Sequence, residues 1–174
     1  MVPNVPAPHV PVSTYVDRPA TVATDGIVAG VIGAATVALW FLVLDTLAGR
    51  PFFTPTVLGT ALFRRGAGLE APQTLPVSLE MVGMFTWVHA LVFVTLGGVA
   101  SYLLAAVEKR PSLGFGLLLL FVVFQAGFTV AAMVFAAPVL TTIGWIAILT
   151  ANLLAASAMA VYLGWRHRDM RIEP

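Results

Sequence analysis

From Gly26 to Leu44 the chain carries no Asp, Glu, Lys or Arg, and the same is true of Met81 to Val107 and of Ser112 to Trp165. An apolar run of about 20 residues is what an α-helix needs to cross the hydrocarbon core of a bilayer. Composition agrees: 59% of residues are hydrophobic and 10% charged, with a mean hydropathy of +0.95. Soluble domains use about 25% charged residues to cover a water-facing surface. Lipid must therefore be the solvent for most of this chain.

These runs predict an all-α integral membrane protein with four transmembrane helices in an antiparallel bundle. The expected spans are about 26–47, 80–107, 113–136 and 140–165, together a membrane domain over 26–165. Asp25 stands where an N-cap of the first span would, and Glu108-Lys109-Arg110-Pro111 closes the second. Pro138 marks a tight reversal, so the last two spans are expected to be antiparallel neighbours. In the loop between helices 1 and 2, Thr54-Pro55 reads as an N-cap followed by proline at the first helical position. It opens a short interfacial helix over about 55–65, with Phe52, Phe53, Leu58, Leu62 and Phe63 along the membrane surface. Residues 1–25 form a Pro-rich extended N-terminal arm, since Pro3, Pro6, Pro8, Pro11 and Pro19 favour polyproline-like chain. Residues 166–174 are a polar C-terminal tail. The arm lacks the basic start and adjoining apolar stretch of a secretory signal.

Small residues suggest how the helices associate. Gly26, Gly30, Ala34 and Ala38 recur every four residues on the first span, and Gly97 lies on the second. Such faces let helix backbones approach closely where lipid removes the hydrophobic drive. Basic flanks give an orientation. With both termini cytoplasmic, that side holds six of the nine Lys and Arg residues and the other side holds Arg50, Arg64 and Arg65. The expected location is the plasma or inner membrane.

Polar side chains inside the apolar body carry what functional signal there is. His89, Gln125 and Asn152 fall at roughly 14–18 Å depth by helical rise, so a midplane polar cluster is expected. Its functional reading is a pocket for a quinone headgroup, a proton path or a cofactor; its plain reading is interhelical hydrogen bonding that fixes register. A haem held by this chain alone is disfavoured, because His9 and His167 lie outside the spans and His89 lacks a second ligand. A haem or quinone shared with another subunit fits better. Asp45, in the last turn of the first span, faces an already negative helix end. It needs a donor, either Arg50 or the backbone N–H groups of the Gly49–Thr54 turn. Asp45, Arg50 and Glu80 are candidate outer-rim charges.

With no cysteine, disulfides and thiolate chemistry are excluded. The net charge of +1 gives no steering toward nucleic acid. No phosphate-binding loop, Ser/His/acid arrangement or metal-ligand cluster is present, so no catalytic residue and no metal site is expected. The expected function is a non-catalytic accessory or structural subunit of a larger membrane complex, respiratory or photosynthetic for example. Its partners would be the bilayer and other membrane subunits or further copies of itself. A quinone- or haem-associated anchor is the first alternative, and a small transporter or channel the second.

Overall fold

The computed structural model describes residues 19–65, 67–109, 114–115 and 143–166. All regular structure among them is helical: α1 (Pro19–Leu47), α2 (Phe53–Phe63), a 3₁₀ turn (Pro72–Thr74), α3 (Leu79–Lys109) and α4 (Trp145–Arg166). Three of these, α1, α3 and α4, are long and apolar enough to cross a membrane, and α2 is a shorter apolar helix between the first two. The expected span 113–136 lies outside the described residues except for 114–115, as do most of the N-terminal arm and residues 167–174.

Helix α3 starts at Leu79, where its span is expected, whereas α1, α2 and α4 start away from their expected boundaries, each for an identifiable reason. Helix α1 begins at Pro19 rather than Gly26, so Asp25 is not its N-cap. Proline is tolerated in a first helical turn, whose N–H groups have no intrahelical partner. The added turns carry the Val22 carbonyl to the Ser101 hydroxyl of α3 (2.9 Å). They also place Asp25 against α4. Helix α4 begins at Trp145 rather than 140, because Gly144 at φ 86° breaks the helical path before it. Helix α2 begins at Phe53, after Phe52 in a left-handed conformation, and the group that caps it belongs to another helix.

The join between α1 and α2 is tightly specified. Gly49, at φ 71°, ends α1. Its N–H donates to the Thr46 carbonyl, and the Arg50 N–H donates to the Asp45 carbonyl. Together these bonds close the end of α1 in a Schellman motif.

Helix α1 is the centre of the described bundle. It packs against both α3 and α4, whereas α3 and α4 barely touch each other. As α1 runs from Val22 to Ala34, its neighbours on α3 descend from Ser101 to His89, so the pair is antiparallel. Asp25 lies beside Arg166 and Trp40 beside Ala147, so α1 and α4 are antiparallel too. The chain thus leaves α3 at one end of the bundle and enters α4 at the other.

Small residues make the buried seam: Ala29, Ala34, Ala105, Ala151 and Ala155 are all buried. A methyl group on Gly26 would stand 2.7 Å from the Gly98 Cα, and one on Gly30 would stand 2.5 Å from the Val94 Cα. From the other side, a methyl on Gly97 would stand 2.5 Å from the Gly30 backbone nitrogen. The two backbones are in contact there, which only glycine permits. At Gly33 all three long helices converge, with Phe93 of α3 and Met159 of α4 filling the space a side chain would need.

Three threonine hydroxyls at membrane depth are satisfied within their own helices. Thr36 donates to the Ile32 carbonyl, Thr95 to Leu91 and Thr150 to Ile146. A threonine bonded this way can face lipid without leaving an unpaired donor.

Candidate functional site

Polar chemistry collects at three levels along α1. At the first level, Asp25 is almost fully buried, at 2% exposure. Its carboxylate accepts from the Arg166 Nε (3.0 Å) and from the Tyr162 hydroxyl (3.2 Å). Tyr162 and Arg166 are four residues apart on α4 and so share one helix face. An acid buried to this degree is tolerable only when paired and hydrogen-bonded. The Arg166 side chain is 41% exposed, so its charge still reaches solvent or headgroups.

The second level is His89. Its Nε2 donates to the Ala34 carbonyl of α1 at 3.2 Å, which places a proton on that nitrogen. Phe85 and Phe93 flank the imidazole, with ring centroids 5.6 and 4.7 Å away. Asn152 is half-buried on α4, and among the described residues nothing hydrogen-bonds its amide. Gln125 lies outside the described residues. His89 and Asn152 are therefore not joined, because α3 and α4 meet α1 rather than each other.

The third level is the α2 end. Asp45 is buried, and its two oxygens accept from the Thr54 backbone N–H and the Thr54 hydroxyl, both at 2.7 Å. Thr54 lies in the first turn of α2, where N–H groups need acceptors and the helix dipole favours negative charge. One side chain thus answers the unpaired acid of α1 and the unpaired donors of α2 together. Arg50 turns elsewhere. It donates to the Gln73 side-chain oxygen (3.1 Å) and the Leu75 carbonyl (3.2 Å), with its guanidinium 3.8 Å from the Phe53 ring centre. Those bonds fasten the 72–75 turn against the start of α2. Glu80 is not part of this group; it pairs with Arg64 at 3.3 Å in an exposed contact.

Asp45, Arg50, Thr54 and Gln73 line a half-open cavity of about 370 Å³, together with Phe41, Leu44, Ala48, Phe53 and Ile143. It lies beside the rim of the membrane-spanning helices. Sequence reasoning placed Asp45 near Arg50 and named the backbone N–H groups of the Gly49–Thr54 turn as donors, but it did not find the Thr54 hydroxyl or Gln73 as partners. It also missed the Asp25–Arg166 pair entirely. The available signal was that one acid and one base stand at matching ends of two antiparallel spans.

Among the described residues no group of three His, Asp or Glu side chains is placed to hold a metal ion. Fold and polar levels together define a membrane-spanning protein, helical throughout its described regular structure, in which Asp25, Asp45, His89 and Ser101 each bridge neighbouring helices. Compared with known proteins, the chain matches no family model, no curated protein and no solved structure.

Proposed function

We propose that the chain is a non-catalytic structural subunit that packs into a larger membrane assembly. The observation that carries this reading is the closure of its polar groups. His89 is bonded to Ala34, Asp45 to Thr54, Ser101 to Val22 and Asp25 to Arg166. Each fixes one helix against another, and among the described residues they do not converge on a shared reaction centre. A quinone- or haem-handling anchor using His89, Gln125 and Asn152 is the second reading, and against it stands the engagement of the His89 Nε2 with the Ala34 carbonyl of α1.

One surface feature supports a protein neighbour. Trp87 is 69% exposed on α3, yet it lies eight residues inside the helix from Leu79, about 12 Å along the axis. Tryptophan in membranes gathers at the interfacial level; at this depth its indole suits packing against another helix better than exposure to acyl chains.

Purification from the native membrane in mild detergent, with native mass spectrometry and a visible spectrum on one sample, tests the reading. Stoichiometric partner subunits and no chromophore are expected. A stable species without partners would refute it, and a bound chromophore would favour the anchor.

A further inference from the structure

The geometry points to the cavity at the α2 end as a binding site for the anionic head of a membrane phospholipid, with Arg50 as the residue that recognises it. The inference goes beyond the subunit role and does not depend on it. Three observations carry it.

Arg50 is half-buried, and among the described residues no carboxylate lies within ion-pairing distance of it. Its protein acceptors, Gln73 and the Leu75 carbonyl, are neutral. A guanidinium presents five N–H donors in a planar fork, and the two bonds seen here leave donors for a phosphate oxygen. A partly desolvated cation without a counter-charge is the arrangement that an anion completes.

Asp45 lines the same cavity but does not compete for Arg50. Both of its oxygens are committed to Thr54, and the residue is only 6% exposed. The first turn of α2 offsets its charge, since the positive end of the helix dipole lies against it. The acid and the base of this cavity are therefore separately managed, and only the base is left for a ligand.

The remaining walls have the character of an amphiphile's site. Phe41 and Leu44 are apolar and belong to the membrane-spanning α1, the apolar Ile143 stands just ahead of α4, and Gln73 and Arg50 sit on the loop side. A ligand would thus meet charge at the loop and hydrocarbon toward the bilayer. A volume of about 370 Å³ suits a headgroup with the first carbons of its chains, at the small end of ligand pockets. Basic pockets between membrane helices bind acidic headgroups in this manner.

The test uses the full chain purified in a neutral detergent, titrated with dioleoyl phosphatidylglycerol or dioleoyl phosphatidylcholine and read by native mass spectrometry. One phosphatidylglycerol should be retained in preference to phosphatidylcholine. Arg50→Gln should weaken that retention about tenfold, the effect of one charge-assisted contact. Arg64→Gln, which alters an exposed arginine near the same end, should leave it unchanged. Because Arg50 also holds the 72–75 turn, Leu44→Trp is the second variant. It fills the cavity without touching the guanidinium and should abolish preferential retention while the thermal unfolding profile is kept. Equal retention of the two lipids would overturn the proposal, as would equal losses in Arg50→Gln and Arg64→Gln, or full retention in Leu44→Trp. Displacement of the lipid by millimolar inorganic phosphate would also overturn it, by making a soluble anion the occupant.

Discussion

Helix α1 carries one buried acid toward each end, and the two are held in opposite ways. Asp25 is gripped by Tyr162 and Arg166, the latter 141 residues away in sequence. Asp45 is gripped by Thr54, nine residues away. The first bond is a clamp between helices that are distant in the chain; the second is a cap shared by consecutive helices. Between them lie about 30 Å of helix, close to the thickness of a hydrocarbon core. The acids thus mark where water or headgroups must begin, and each end is closed by the means its topology offers. At the Asp25 end α1 is flanked by the distant segments α3 and α4. At the Asp45 end the chain turns directly into α2.

A clamp between distant segments should be more costly to break than a local cap, and most costly where backbones touch. Gly97→Ala puts a methyl 2.5 Å from the Gly30 nitrogen. Helices forced apart at such a crossing lose packing along their length, and the expected destabilisation is about 3 kcal/mol. The adjacent Gly98→Ala has nothing within 4 Å of its new methyl, so it should lie within about 1 kcal/mol of the parent and on the stabilising side. Unfolding by sodium dodecyl sulfate, followed by tryptophan fluorescence, separates the two. Equal losses would mean that close backbone approach does not hold this end together.

The ion pair comes next, and its two halves should differ. Arg166→Leu leaves an almost fully buried carboxylate without its guanidinium, costing about 3 kcal/mol by analogy with broken buried pairs. Asp25→Leu leaves an arginine that is 41% exposed and can turn outward, so the cost should be nearer 1 kcal/mol. The same denaturant titration measures both. If Asp25→Leu proves as damaging as Arg166→Leu, burial of the acid is not what makes the clamp sensitive.

The same contrast explains what could be read from sequence. Apolar run lengths predict the membrane helices and the short helix in the loop, because those properties are local to each segment. The need of Asp45 for backbone donors in the Gly49–Thr54 turn is also legible, since its partner is one turn and one loop away. Asp25 could not be read in that way. It precedes the apolar run like an N-cap, and only the packing of α4 on α1 brings Arg166 to it. His89 shows the same limit. Equal depth suggested a shared layer with Asn152, but depth fixes only height; the helix angle around the bundle axis decides who meets whom, and it turns His89 toward Ala34. The lining of the cavity was half-visible for this reason: Asp45 and Arg50 are neighbours along the chain, whereas Gln73 arrives from a loop whose path the sequence does not reveal.

The cap itself should break locally. Asp45→Ala removes the acceptor of two bonds at the first turn of α2, with an expected loss of about 1–2 kcal/mol, the range for helix caps. Thr54→Val keeps the backbone bond and deletes only the hydroxyl bond, so about half that loss is expected. Hydrogen exchange should report faster exchange confined to residues 53–63 in both variants, with Ser101 and its neighbours unchanged. Faster exchange at the Asp25 end as well would mean that the two ends are coupled through α1 rather than closed independently.

The smallest effect should come from the charge pair that looks most conspicuous on the surface. Arg64 and Glu80 join α2 to the start of α3 at 3.3 Å, but their side chains are 52% and 67% exposed. Exposed pairs of this kind gain little, because solvent already satisfies both charges and two long side chains must be ordered to meet. Glu80→Gln should therefore cost under about 0.5 kcal/mol, and added salt should shrink even that. The α2–α3 contact should survive on other grounds: Gly59 lies against the Met81 backbone, and Thr56 and Thr60 are buried beside it. If Glu80→Gln instead loosened α2 as much as Asp45→Ala, ion pairing rather than close packing would be holding the short helix in place.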